Sequence, residues 1–424
     1  MNLIRDTAIN IGNSLWEEAF WNEDRTECNW MARSFQAHSL SAPNLLCSQA
    51  VGPDLYSGSS GIALFLAELF KETRSERFRE ASVGAARRSI SYLKQAQRKC
   101  HPLSFFLGKL GIAHSTWSVA DNAGDHECKR LFFNLLDQIV EQKDEIHLLD
   151  TIGGIAGGIP ALLAFGKHSN AATIEMALEC GNRICNAANW SGKLCTWDSL
   201  AATGFHTSRQ MAGMAHGASG MALSLLELYR QTSDTKFLDV ARGAFNYEDT
   251  LFRDNVKNWV DTRFDSTSEA SEAQEVFANA WCHGAPGIAL VRVRAINLDP
   301  DLSDLHQDIA TIALNTSIHA LDAMVSVPGT DATLCHGILG ISEVILTCGE
   351  LVGNSVNTQL CLDVANSLIS HYGRANEWPS GIPGGGQNPS LMLGKAGIGY
   401  HLLRLTEQSK VGPILLQIVG QSRG

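Results

Sequence analysis

Two glycines separated by two residues open an apolar, helix-like run seven times in this 424-residue chain. The copies are GSSGIALFLAEL from Gly58, GKLGIAHSTWSV from Gly108, GIAGGIPALLAF from Gly154 and GASGMALSLLEL from Gly217. GAPGIALVRVRA follows from Gly284, GILGISEVILTC from Gly337 and GKAGIGYHLLRL from Gly394. Successive leading glycines lie 46 to 67 residues apart. That period holds two helices and their connections, since a mean helix runs ~11–12 residues. Segments between copies, such as 75–97, 170–189 and 357–373, have the amphipathic pattern of outer helices. The glycine-led runs are apolar nearly all round and belong inside. A linear solenoid of seven such pairs leaves two ends to cap. The pattern therefore predicts an all-α fold: a single α/α toroid of seven outer–inner helix pairs. It spans residues 1–424 as one domain, with 1–50 as a helical segment leading into the ring. In such a ring the seven loops entering the inner helices share one end.

The two residues before each leading glycine point toward that shared mouth. They are Tyr56-Ser57, Phe106-Leu107, Ile152-Gly153, Ala215-His216, Cys282-His283, Cys335-His336 and Met392-Leu393. Histidine stands there only in copies four, five and six, and cysteine only in five and six. Thiolate and imidazole are preferred zinc donors. The candidate ligand set is Cys282, Cys335 and His336. Three protein donors leave a fourth tetrahedral position open, as catalytic zinc sites do. Cys282 and Cys335 are too far apart in sequence for a finger or ribbon motif, so the inference rests on repeat register. The competing reading is two buried Cys-His pairs with satisfied imidazoles.

Zinc held by two thiolates and a neutral imidazole is formally neutral. It lowers the pKa of a bound thiol, yet two thiolates make it a weak Lewis acid. Such a site favours activation of an incoming thiol over activation of water. His216, with no cysteine beside it, is a candidate acid or base, or else a buried histidine capping a turn. Asp150, four residues before Gly154, either orients a histidine or serves as an N-cap. His101, His126, His147, His168, His306, His319 and His371 show no partner pattern and read as structural or surface. Cys180 and Cys185 read as buried thiols on a helix.

WCHGAPGI and LCHGILG, set among seven glycine-led helices, resemble lanthionine synthetase C-type cyclases. The likeness is nearest to the C-terminal cyclase domain of class II lanthipeptide synthetases and covers essentially the whole chain. IGNSLWEEAFWNEDRTECNWMARSF resembles the opening of that domain and PSLMLGKAGIGYHLLRL its last repeat. The resemblance implies an α/α toroid with a central Zn2+ held by Cys282, Cys335 and His336. It implies Michael addition of a peptide cysteine thiol to dehydroalanine or dehydrobutyrine, giving thioether rings in a dehydrated lanthipeptide precursor. His216 then manages the proton at the α-carbon, with Asp150 as its acidic partner. His283 joins the catalytic set at a place where stand-alone cyclases tend to carry tyrosine. Those enzymes also tend to carry an arginine a turn before the cysteine, where this chain has Ala278, so that role is not transferred. Dehydration falls to a dehydratase domain or subunit, in cis or trans, because the chain has no G-x-x-x-x-G-K-[ST] phosphate loop. The glycine-rich WPSGIPGGGQNPS (378–390) reads as a loop near the mouth.

The remaining composition narrows the alternatives. A net charge of −11 argues against nucleic acid. No apolar run approaches the ~20 residues of a membrane span, and the N-terminus has no signal-peptide pattern. A cytoplasmic protein with reduced thiols is expected. Two other functions fit the same ring: transfer of another alkyl group, prenyl or glutathione, at a zinc-thiolate centre, or a non-catalytic peptide-binding toroid with structural zinc.

Overall fold

Every leading glycine stands directly before an inner helix. The structure is a computed structural model. It describes residues 2–36, 45–95, 101, 103–142, 148–167, 171–200, 203, 207–264, 275–354, 356–382, 384, 386–406 and 411–417. His147 and His168 lie outside these residues. Fourteen α-helices are described: α1 (Asn2–Glu18), α2 (Ser59–Thr73), α3 (Glu76–Gln95), α4 (Lys109–Ala123), α5 (His126–Glu141), α6 (Ile155–Phe165) and α7 (Ala172–Asn186). They continue with α8 (Ala218–Thr232), α9 (Thr235–Thr250), α10 (Ala285–Leu298), α11 (Ser303–Val325), α12 (Ile338–Val352), α13 (Val356–Leu368) and α14 (Lys395–Thr406). The even-numbered helices are the seven glycine-led runs.

The second glycine of each copy explains the repeat. Each preceding loop curls back over the first turn of its helix. The N–H of Gly220, for example, donates to the Gly213 carbonyl at 3.3 Å, and that of Gly340 to Thr333 at 3.0 Å. A Cβ at the second glycine would fall inside the carbonyl oxygen six residues upstream. That oxygen belongs to Leu55 at Gly61, Phe105 at Gly111, Met214 at Gly220 and Leu391 at Gly397. Only glycine permits this backbone-on-backbone contact.

The inner helices touch in the order α2, α4, α6, α8, α10, α12, α14, and α14 touches α2 again, which closes the ring. Helices α3, α5, α7, α9, α11 and α13 each cover the inner helix before them. Helix α1 covers α14 and so completes the seventh pair. Lys395 Nζ on α14 reaches Ser14 Oγ at 3.0 Å, and Arg5 on α1 pairs with Glu72 on α2 at 2.8 Å. The seven-pair toroid is the architecture expected from the glycine repeat. Several charges on the inner helices are paired across helices. Arg294 meets Glu227 between α10 and α8 at 2.8 Å. Between α14 and α12, Arg404 and His401 hold Glu343 at 2.8 and 2.7 Å. Removing one partner of a buried pair costs ~3–5 kcal/mol.

One expectation needs correction. Among the described residues of 1–50, only α1 is helical. After it come two antiparallel pairs: β1 (Phe20–Trp21) with β2 (Cys28–Asn29), and β3 (Met31–Gln36) with β4 (Leu45–Ala50). Two further hairpins, β5 (Asn189–Ser191) with β6 (Leu194–Thr196) and β7 (Phe252–Arg253) with β8 (Asn258–Trp259), occupy the two longest intervals between glycines. Strands of two to six residues are too short for a two-residue alternation to stand out. Cys180 is buried on α7 and Cys185 is half-buried there. Among the described residues, no helix is long and apolar enough to cross a membrane.

The glycine contact inverts the usual helix preference. Alanine normally stabilises a helix by about 1 kcal/mol over glycine. At Gly111, however, a methyl group meets the Phe105 carbonyl and the Leu55 side chain. Gly111→Ala is expected to destabilise by about 2 kcal/mol or more in urea denaturation. Gly412→Ala, where a Cβ meets nothing within 4 Å, should leave the midpoint within about 0.5 kcal/mol of wild type.

Candidate metal centre

The seven loops at the mouth are stitched to one another by their backbones. Cys335 N–H donates to Met392 O at 3.1 Å, Met392 N–H to Tyr56 O at 2.9 Å, and Tyr56 N–H to Phe106 O at 3.0 Å. On the other arc, Thr151 N–H donates to Ala215 O and Ala215 N–H to Cys282 O, both at 3.0 Å. Ser104 Oγ joins the arcs on one side by donating to Ile152 O at 2.8 Å. On the other side the arcs meet at Cys282 and Cys335. The residue two before each leading glycine thus holds an equivalent place on the rim.

Cys282, Cys335 and His336 converge there, with their donor atoms all within 4.8 Å of one another. Zinc–sulfur bonds of about 2.3 Å in a tetrahedron set two sulfurs roughly 3.8 Å apart, so the cluster has the size a zinc ion requires. The imidazole is oriented from outside. His336 Nε2 lies 3.0 Å from Gly381 O and 3.3 Å from Asp331 Oδ2. That leaves Nδ1 for a metal, the usual arrangement for a ligating histidine. Asp331 is itself fixed by the Thr333 N–H at 2.8 Å. Gly381 belongs to the glycine-rich 378–390 loop, which therefore reaches the mouth as the sequence suggested.

The two thiols sit in unlike environments. The hydrogen bond with Cys335 holds the Cys282 thiol below its ordinary range, against burial and with help from the Arg263 charge. The same contact, together with burial, pushes Cys335 well up. Elsewhere burial pushes structural thiols such as Cys180 and Cys361 to about 12. The cation near the pair is Arg263, from the stretch after β8. Its guanidinium grips Asp261 through Nε–Oδ1 at 2.9 Å and a second bond at 2.6 Å. Although burial opposes it, this fork keeps the Asp261 carboxyl below the usual range.

Asp150 and His216 also meet. Asp150 is buried; its Oδ1 accepts the Gly153 N–H at 2.7 Å and its Oδ2 lies 2.6 Å from His216 Nδ1. The His216 side chain is 25% exposed, so its far nitrogen is accessible. A cleft lined by Trp197, Met211, Met221 and Tyr247 adjoins it. The His283 ring lies 5.8 Å from that of His216, centroid to centroid. Burial, then the Arg263 charge, lowers its pKa to about 3, so His283 is neutral. The six candidate residues thus form two groups, Cys282 with Cys335 and His336, and His216 with Asp150 and His283, on neighbouring loops.

The comparisons with known proteins bear on family and fold. Residues 49–416 match the family of lanthionine synthetase C-like proteins. The chain belongs to that family. Its fold resembles that of nisin cyclase, with a TM-score of 0.63, 20% identity, and coverage of 86% of this chain and 92% of that one. The lacticin 481/lactococcin biosynthesis protein LcnDR2 of Lactococcus lactis subsp. lactis is 29% identical over 214 residues, which make up 49% of this chain and 22% of that protein. The chain therefore spans only a minor part of that relative's length.

Several residues around this candidate site lie outside the glycine register. Asn258, buried on β8, clamps the turn that presents Cys282. Its Nδ2 donates to Ala278 O at 3.1 Å, before the turn, and its Oδ1 accepts the Ala285 N–H at 3.0 Å, after it. Gly284 between them has φ +87°, the region that favours glycine. Asn258→Ala leaves both backbone groups unpaired and should cost about 2–4 kcal/mol in chemical denaturation. Asn258→Asp keeps the acceptor and should lose less.

Proposed function

We propose that this family member is a zinc-dependent cyclase that adds peptide cysteine thiols to dehydroalanine or dehydrobutyrine in a lanthipeptide precursor. The products are lanthionine or methyllanthionine thioethers. The observation that carries this reading is the convergence of Cys282, Cys335 and His336 beside the His216–Asp150 pair on one rim. Zn2+ bound to that donor set supplies a coordination position in which a peptide sulfur is held as thiolate at neutral pH.

The chain's own residues account for the rest of the reaction. The sulfur bonds to the β-carbon of the dehydro residue, the π pair shifts toward the carbonyl, and the α-carbon takes up a proton. The thiol proton lost and the α-proton gained balance, so the peptide's mass is unchanged. His216 is the acid for that proton. Asp150 holds Nδ1, which leaves Nε2 as the working nitrogen. His283, whose pKa burial lowers to about 3, is neutral at pH 7 and serves as an uncharged hydrogen-bonding group and not as a second acid.

The acceptor alkenes arise by loss of water from serine or threonine, so a dehydratase domain or subunit, in cis or trans, precedes this step. The described cysteines are all free thiols, which suits a cytoplasmic site of action. Residues 1–424 act as one unit in this reading, because α1 covers α14.

The test uses a dehydrated, cysteine-containing peptide followed by thiol alkylation. The wild-type protein should carry one zinc per chain and protect the peptide thiol at unchanged mass. Cys335→Ala should lose both zinc and protection. His216→Ala should keep zinc and slow ring closure by about 10²–10⁴-fold. Protection by a metal-free protein would refute the zinc reading, and an unaltered rate in His216→Ala would remove its role as acid.

A further inference from the structure

The seventh loop separates Cys335 from Tyr56, yet their side chains meet. Tyr56 O–H lies 2.9 Å from Cys335 Sγ. Tyr56 holds the same place before Gly58 that Cys282 and Cys335 hold before their own glycines. Its backbone is fixed on both sides, donating to Phe106 O at 3.0 Å and accepting from Met392 N–H at 2.9 Å. Its ring packs edge-on to Phe106 at 88° and 6.3 Å between centroids. A tyrosine so held has little freedom to turn its hydroxyl elsewhere.

We propose that Tyr56 is a positioning residue of the metal centre, donating its phenolic hydrogen to the Cys335 sulfur and tuning the metal that this sulfur binds. The inference rests on the zinc reading of the site. A neutral thiol is a weak acceptor, whereas hydrogen bonds to an ionised acceptor are roughly twice as strong as neutral ones. The contact therefore gains strength when Cys335 is a thiolate, which is its metal-bound form. A phenol ordinarily titrates only at about pH 10, so Tyr56 is a donor at neutral pH. A hydrogen bond also draws charge off the sulfur. The ion then receives less charge from Cys335 and more strongly favours the ionised form of an incoming thiol. Partners of this kind commonly change metal affinity or activity by about 10–100-fold when removed.

Cobalt(II) reports on this contact without any need for turnover, through its thiolate-to-metal charge-transfer band. In Tyr56→Phe the Cys335 sulfur is richer in charge, so the band should move to longer wavelength. Cobalt affinity at pH 7 should fall about tenfold. With dehydrated peptide, the acid limb of the ring-closure pH profile should move upward, because the bound peptide thiol becomes less acidic. Phe106→Leu disturbs the same ring packing but keeps the hydroxyl, and should leave the band in place. An unmoved band in Tyr56→Phe, or an equal shift in both variants, overturns the role of Tyr56 while the metal reading stands. If the wild-type protein forms no cobalt–thiolate band, the metal reading itself falls and this inference with it.

Discussion

The close contact between each second glycine and the carbonyl six residues before it sets the whole architecture. It folds each loop back over the first turn of its inner helix and fixes where the loop can go. With loop after loop held in the same way, the residues just before the leading glycines form a rim of two backbone-bonded arcs, joined by Ser104 on one side and by the Cys282–Cys335 contact on the other. The rim, rather than any local sequence motif, brings Cys282 and Cys335 together across more than fifty residues of chain. The helices supply burial, and the glycines supply register. A site assembled from register alone tolerates very different side chains at equivalent places, which is why cysteine, methionine, tyrosine and phenylalanine can share one position in the repeat.

That physics decides what was legible beforehand. Glycines required by a backbone contact admit no substitute, so they stand out without any knowledge of the fold, and the ring of seven pairs follows from them. Cys282, Cys335, His336 and His216 were visible because they fall in the same register. Asp150 lies four residues before its glycine, a slightly different offset. Its pairing with His216 depends on how the third and fourth loops abut, and chemistry suggested it more than spacing did. The strands of residues 19–50 were not legible. Pairs such as Phe20–Trp21 with Cys28–Asn29 are too brief to leave a pattern, and the amphipathic α1 ahead of them set the expectation for the segment.

The residues that were missed have a common cause. Asn258, Asp261 and Arg263 lie in the longest interval between glycines, in or just after a hairpin that no periodic signal marked. Each acts across space on a residue found from the repeat. Asn258 braces the Cys282 turn from both sides. Arg263 places a cation near the two thiols, a charge that Ala278 cannot provide. His283 shows the reverse case. Its position was evident, but its neutrality follows from burial and from the nearby guanidinium, and neither can be read from a residue list.

Closure of the ring has a consequence for the site itself. Helix α1 covers α14, Lys395 reaches Ser14, and Arg5 reaches Glu72, so the two ends of the chain are tied to each other and to α2. The same closure brings Tyr56 of the first loop to Cys335 of the sixth, with Met392 of the seventh hydrogen-bonded to both. These contacts are among the most distant in sequence, and contacts of that kind carry the largest loop-closure cost and form late. The metal donors therefore acquire their full set of neighbours only once the first and last loops have met. An ion bound at that junction favours the closed ring over every open form, because binding to the folded state alone adds to its stability. Catalytic geometry and fold integrity thus depend on the same junction, where the two ends of the helical ring are joined.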